Sequence, residues 1–297
     1  MLARIVAIVF PVFAIIGAGY AYALWKRRGG REGGVDMAFA NQLNMEIFVP
    51  ALVFAALSSK SFDLAVHWKL ALAATVVVLG SGLIAWPLAR FLKEQPNTFV
   101  PPMMFTNSGN MGLPLALLAF GEAALPAAVV LFFVENTLHY MLGTWMLDHH
   151  ARLRDLWKVP VNAAALAGLA VSLLHVEVWP PLHIGVKMLG DVAIPLLLFS
   201  LGVRLATSKL SDLRLGVIGA IACPLSGMAL AWIANATLAL EPAQAGMLLV
   251  FGALPPAVLN YVFAERYQQE PAKVASLVMV GNLGALAFVP LALAIVL

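Results

Sequence analysis

Ten apolar runs follow one another along this chain, and each is about as long as the 20 residues that carry one α-helix across a bilayer. They cover residues 3–25, 37–57, 68–92, 98–120, 123–147, 159–178, 183–204, 214–238, 243–264 and 273–297. The loops between them are too short to hold a soluble domain. The sequence therefore predicts an all-α membrane protein with ten transmembrane helices.

Composition supports this prediction and narrows the partners. The chain is 62% hydrophobic and only 11% charged, whereas soluble domains carry about 25% charged residues. The net charge of +3 is small, so we expect the lipid bilayer as a partner and no nucleic acid. Because Cys223 is the only cysteine, an intrachain disulfide and a thiolate metal site are excluded. We expect no metal and no cofactor.

Lysine and arginine are concentrated in alternate loops, which predicts an orientation. One side has Lys26, Arg27, Arg28, Arg31, Arg90, Lys93, Arg152, Arg154, Lys158, Arg204, Lys209, Arg214, Arg266 and Lys273. The other has Arg4, Lys60, Lys69 and Lys187. The cation-rich side faces the cytoplasm by the positive-inside rule. We therefore expect a multi-pass protein of the cell (inner) membrane with both termini extracytoplasmic.

The fourth and ninth segments are interrupted by residues that disfavour a continuous helix. Residues 107–114 read Asn-Ser-Gly-Asn-Met-Gly-Leu-Pro, and the ninth segment contains Gly252, Pro255 and Pro256. Backbone breaks at membrane depth persist where protein or a water-filled cavity receives the freed polar groups. Two broken segments in corresponding positions indicate a transporter's substrate site, although kinks alone would also explain them. The candidate substrate-binding residues are Asn107, Asn110, Met111, Gly112, Pro114, Pro255, Pro256 and Asn260.

Two pairs of similar stretches indicate an internal repeat. Residues 46–54 and 191–199 each have an acid, a proline four residues later and a phenylalanine four beyond that. Residues 113–118 and 254–259 share Leu-Pro-x-Ala-x-Leu. Five helices per copy make the second copy enter from the opposite face. We therefore expect an inverted repeat of residues 1–147 and 159–297, joined by a short cytoplasmic loop at 148–158, with the fourth and ninth segments crossing.

The expected crossing would place two half-helix N-termini, one after Pro114 and one after Pro256, at one central point. Each carries about +0.5 charge, which suits a carboxylate. Intramembrane ionisable residues are functional candidates by default, so Glu46, Asp191, Glu135 and His139 are candidates for coupling transport to protons or to sodium. For the two acids near prolines an interfacial position is the alternative, and for Glu135 and His139 a structural hydrogen bond. Uniport driven by the membrane potential needs none of them.

The motif at residues 107–114 resembles the fourth-helix signature of the auxin efflux carrier family, and Val262-Phe-Ala-Glu-Arg-Tyr267 is similar to the end of its ninth helix. The resemblance implies an elevator-type carrier with a scaffold of helices 1, 2, 6 and 7 and a transport domain of helices 3–5 and 8–10. It implies that Asn107 contacts a substrate carboxylate. The short loop at 148–158 is similar to that of bacterial carriers of malonate-like or malate-like anions rather than auxin. A homodimer stays open.

Other functions stay open at this stage. A sodium-coupled carrier of bile-acid-like steroids resembles the same fold, and a membrane sensor could bind a ligand without transporting it. An intramembrane enzyme is disfavoured because the chain has no HExxH, GxSxG or P-loop lysine motif. We therefore predict a secondary transporter of a small organic anion that alternates access at a midplane crossover, and no enzymatic activity.

Overall fold

The structure is a computed structural model that describes residues 1–28, 35–59, 62–148, 159–207 and 210–297. Its helices are α1 (Leu2–Arg28), α2 (Ala38–Leu57), α3 (Leu64–Leu92), α4 (Pro96–Met104), α5 (Ser108–Phe120), α6 (Glu122–Leu147), α7 (Pro160–Leu173), α8 (Pro180–Thr207), α9 (Leu213–Leu238), α10 (Pro242–Gly252), α11 (Val258–Arg266) and α12 (Pro271–Val296). No strand occurs in these ranges. Residues 149–158 of the predicted loop at 148–158, with the basic residues among them, lie outside these ranges, as do Arg31, Lys60 and Lys209.

Seven of the described helices are long and apolar enough to cross a membrane, namely α1, α2, α3, α6, α8, α9 and α12. The fourth and ninth predicted segments are not continuous helices. Each consists of two short helices, α4 with α5 and α10 with α11, separated at residues 105–107 and 253–257. The break in the ninth segment lies at the predicted Pro255 and Pro256, whereas the break in the fourth segment precedes Gly109, Gly112 and Pro114, which lie inside α5.

The sixth predicted segment, 159–178, is longer than the helix it produces. Helix α7 has 14 residues and ends at Leu173. His175 then adopts a left-handed backbone with φ of 52°, which an α-helix cannot continue. The helix is shorter than the roughly 20 residues that span a bilayer core.

Capping residues determine where the long helices α3 and α9 begin. The Asp63 side chain accepts a hydrogen bond from the backbone N–H of Ala65 at 2.8 Å, and Asp212 accepts one from Leu215 at 2.9 Å. Such caps satisfy N–H groups that lack an intrahelical partner. A proline occupies the first position of α4 and of α10, where its missing N–H costs nothing.

The helices pack in two groups that are relevant to the site. In the first group, α1 packs on α8 and α2 packs on α7 and α8. In the second, α3 and α9 pack together and hold α4, α10, α6 and α12. Helices α9 and α10 approach so closely that a Cβ on Gly227 would lie 2.2 Å from the carbonyl oxygen of Gly252.

Candidate functional site

The two helix breaks lie side by side and supply each other's backbone hydrogen bonds. The N–H of Asn107 donates to the carbonyl of Pro255 at 2.7 Å, and the N–H of Ala257 donates to the carbonyl of Phe105 at 2.9 Å. These bonds form an isolated antiparallel bridge between Thr106 and Pro256. Non-helical backbone is tolerated in a membrane protein when protein groups satisfy it in this way. We call this element the crossover.

Three buried asparagines support the crossover. The Nδ2 of Asn107 donates to Oδ1 of Asn282 at 2.9 Å, and Nδ2 of Asn282 donates to the carbonyls of Val278 at 2.7 Å and Pro256 at 3.3 Å. Nδ2 of Asn260 donates to the carbonyl of Phe105 at 2.9 Å. The sequence reasoning did not single out Asn282, although an amide inside an apolar span is a usable signal.

Helix α6 brings two of the predicted coupling residues against the same break. The Glu135 carboxylate accepts hydrogen bonds from the backbone N–H of Thr106 and, at 3.1 Å, from its Oγ1. Only 6% of Glu135 is exposed. The His139 ring stacks on Phe105 with centroids 4.2 Å apart and planes within 6°. Their i, i+4 spacing places both side chains on one face of α6.

A cavity of about 420 Å³ lies between the crossover, α6 and the facing helices α2 and α8. Its size falls within the range of about 300–1,000 Å³ that small-molecule sites occupy. Polar side chains from both sides line it, namely Asn41, Gln42, Glu46, Thr106, Asn107, Ser108, Asn110, Glu135, Asn136, His139, Tyr140, Ser200 and Arg204. We call it the central cavity.

The central cavity contains some of the residues singled out from sequence and omits others. Asn107, Asn110, Glu46, Glu135 and His139 line it. The remaining substrate-binding candidates, which help to build the crossover and its packing, lie outside that lining: Met111, Gly112, Pro114, Pro255, Pro256 and Asn260.

The structure places Asp191 and the half-helix starts differently from the sequence reasoning. Asp191 lies outside the cavity lining and forms an ion pair with Lys187 at 3.3 Å.

Helix α5 begins at Ser108, six residues before Pro114, and α11 begins at Val258. The expectation that half-helices start after the prolines is therefore wrong for α5, because its first turn is a π-helical turn that ends at Gly112.

Arg204 is a cavity residue that the sequence reasoning assigned to a loop. It lies in the last turn of α8 and lines both the central cavity and an adjoining cavity of about 250 Å³. Its guanidinium carbon lies 5.8 Å from the ring centre of Tyr261 on α11. No feature of the apolar pattern separates it from the loop cations that follow, so only the packing of α8 revealed its position.

Acids and histidines do not form a metal site in the described ranges, where no group of three or more His, Cys, Asp or Glu side chains could hold an ion. The described lining of the central cavity instead offers amides, hydroxyls and one guanidinium. These groups donate hydrogen bonds to an anion.

Comparison with known proteins shows which family the chain belongs to. The sequence profile of a family described as "Membrane transport protein" matches residues 4–156 and 149–293. The chain belongs to this membrane transport family. The family assignment made from the motifs is thus confirmed at this level.

Two relatives extend the comparison. A protein of Rhizobium meliloti named "Putative malonate transporter" is 24% identical over 97% of this chain and 94% of its own length. An uncharacterized transporter of Methanocaldococcus jannaschii is 22% identical over 81% of this chain and 83% of its own. Together with the apolar helices, family membership identifies a multi-pass membrane transporter and not an enzyme.

Proposed function

We propose that this transporter is a secondary carrier of a small organic anion, with the substrate bound in the central cavity. The observation that carries the proposal is the position of this cavity. It adjoins the crossed breaks, it contains Asn107 and Asn110, and Arg204 contributes a positive charge. The relative named for malonate favours a small carboxylate, of malonate or malate type, over auxin.

The chemistry of the cavity wall suits a carboxylate. Nδ2 of Asn107 has two N–H groups and uses one for Asn282, so the other is available to a ligand. Within the described ranges the amide of Asn110 has no hydrogen-bond partner, and it faces the cavity beside the start of α5. The positive end of a helix favours a negative charge there.

A ten-crossing inverted repeat is the architecture that accounts best for the helix contacts. In the two repeats Phe54 and Phe199 are equivalent positions. A Cβ on Gly168 of α7 would lie 3.3 Å from the carbonyl oxygen of Phe54, and one on Gly19 of α1 would lie 2.1 Å from that of Phe199. The Asp caps of α3 and α9 correspond in the same way. These pairs support the repeat, because unrelated halves have no reason to reproduce them.

Alternating access would follow from movement between the two helix groups. The first group (α1, α2, α7, α8) is the proposed scaffold. The second group, together with α5 and α11, is the proposed transport domain, and the central cavity lies between the two. The adjoining cavity lies beside Asp36 and Thr207, near loops that the cation distribution places in the cytoplasm. We therefore propose an inward-facing state, and an elevator-type or rocking motion of the crossover past the scaffold.

Counterflow in proteoliposomes tests the carrier. Vesicles loaded with unlabelled malonate should take up radiolabelled malonate transiently, and unlabelled malate outside should compete. Arg204→Ala should reduce this exchange, whereas Arg90→Ala should leave it near wild type. Arg90 is a matched control because it lies in the last turn of α3, stacks over Trp86 at 5.8 Å and is absent from the cavity lining. Binding without exchange would indicate a sensor, and exchange of steroids alone would indicate the bile-acid-like alternative.

A further inference from the structure

The central cavity contains more negative than positive side chains. Among the described residues its charged lining consists of Glu46 and Glu135 against Arg204. With both carboxyls ionised, the lining carries a net charge of −1 before any substrate enters. A bound anion would add to this excess in a partly desolvated space, where like charges repel more strongly than in water.

Glu135 occupies the position at the break where a substrate carboxylate would compete with it. Its carboxylate accepts from the N–H and Oγ1 of Thr106, one residue before Asn107. An ionised Glu135 therefore occupies these two Thr106 donors. Its negative charge also offsets the positive potential at the start of α5. Ionising both of two carboxylates that share one site costs free energy, because each disfavours the charge of the other.

The described side chains that face Glu135 include one guanidinium, that of Arg204. Its own helix contributes His139 and Tyr140, α9 contributes the buried thiol of Cys223, and Glu46 and Arg204 lie across the central cavity. The ion pairs of the described residues do not include Glu135.

A second, smaller cavity lies on the other side of the Glu135 carboxyl. It measures about 30 Å³, and its polar lining consists of Glu135, Thr106 and the buried Ser81. This is about the volume of one water molecule in the liquid. Glu135 thus lines both the central cavity and this smaller, mostly apolar cavity, to which α3, α9 and α10 contribute no titratable side chain.

We propose that Glu135 is the proton site of the transport cycle and takes up one proton when the substrate anion binds. Protonation removes one negative charge from the lining and weakens the charge-assisted hydrogen bonds from Thr106, so that Glu135 competes less with the substrate carboxylate for these donors. The proton enters with the anion from water on one side of the membrane and leaves with it on the other. The carrier is then an anion–proton symporter. This inference rests on the proposed function.

The test uses wild-type and variant carriers in proteoliposomes at a fixed membrane potential. An imposed gradient, acidic outside and alkaline inside, should make the wild type accumulate malonate several-fold, with no requirement for sodium. Glu135→Gln mimics the protonated carboxyl, so it should retain counterflow but lose this accumulation. Asp191→Asn is the matched control, because its carboxylate pairs with Lys187 outside the cavity, and it should accumulate as the wild type does.

Several outcomes would overturn the inference. Accumulation by Glu135→Gln that equals the wild type, loss of accumulation in Asp191→Asn, or accumulation driven by a sodium gradient instead of protons would each reject Glu135 as the proton site. A wild type without counterflow would instead reject the proposed function, so the two failures are distinguishable.

A second measurement does not depend on the folding of any variant. Purified wild-type protein in weakly buffered solution is mixed with malonate while a pH indicator is followed. The proposal requires uptake of close to one proton per anion bound at neutral pH. Binding without proton uptake would reject it.

Discussion

The Asn107 side chain lies between the crossover and the central cavity. It is 3% exposed, yet it lines the cavity and donates to Asn282. One amide therefore connects the last helix, the break in the fourth segment and the proposed ligand. Losing this amide affects both a structural hydrogen bond and a ligand contact.

We predict that Asn107→Ala largely abolishes malonate binding while the protein stays folded. Removal of one partner leaves the buried Asn282 oxygen unpaired, at a cost of about 1–3 kcal/mol, which a stable protein tolerates. Isothermal titration of the purified variant measures the binding. Asn235→Ala is the control, because Asn235 lies on α9 outside the cavity lining. Unchanged affinity in Asn107→Ala would remove Asn107 from the site.

At the scale of elements, the α9–α10 crossing depends on two glycines. Gly227 and Gly252 face each other, and a Cβ on either would lie 2.2 to 2.6 Å from the other's carbonyl oxygen. Because the obstacle is backbone, no rotamer change relieves it. The helices would have to separate.

We predict that Gly227→Ala lowers thermal stability, by about 1–3 kcal/mol, as overpacked substitutions do. Gly17→Ala is the control, since a Cβ at Gly17 in α1 would meet nothing within 4 Å. The melting temperatures of both variants in detergent decide the matter. Equal melting temperatures would mean that α9 and α10 do not approach as closely as described.

A polar cluster connects the C-terminal end of α3 and the first turn of α4 to the start of α12. Lys273 pairs with Glu94 and with Glu270, each at 2.8 Å, and Oγ1 of Thr98 donates to the Glu270 carboxylate at 2.6 Å. Burial raises the pKa of Glu270, but its hydrogen bonds from Lys273 and Thr98 and the Lys273 charge together outweigh burial and hold the pKa below its ordinary value.

The lowered pKa of Glu270 predicts a pH dependence of stability. The stabilisation is present above the ordinary carboxyl pKa of 4.5 and is lost as the pH falls through the lower folded-state value. Glu270→Gln should therefore melt below the wild type at pH 7, by an amount worth no more than about 1 kcal/mol for a partly exposed pair. The difference should shrink as the pH falls below 4.5. A difference that stays constant with pH would contradict the assignment.

At the scale of the whole molecule, the cation distribution predicts which loops share a side. To test this prediction, the exposed residues Gln268 and Glu241 are replaced by cysteine in two separate variants, each of which also carries Cys223→Ser. The buried Cys223 bonds the carbonyl of Leu254 at 3.7 Å, and a serine hydroxyl keeps a donor there. An impermeant maleimide should label Gln268→Cys from the cytoplasm and Glu241→Cys from outside. Labelling from one side would refute ten crossings.

The sequence by itself determined the apolar helices, the interruption of two of the predicted segments and the family. Apolar length and helix-breaking residues act locally, through backbone solvation and φ restriction, so they can be recognised in the sequence alone. Local pattern also points to four residues that line the central cavity, because polar side chains inside an apolar span are conspicuous. They are Asn107, Asn110, Glu135 and His139.

Only the tertiary structure decided which polar groups meet. Asn282 lies 175 residues from its partner Asn107, and Arg204 resembles any loop cation until α8 packs against the crossover. Asp191 and Glu46 hold matching positions in two similar stretches of sequence, yet Asp191 pairs with Lys187 rather than facing the cavity. Contacts between distant segments depend on how helices rotate and cross, and a local pattern of residues does not encode that geometry.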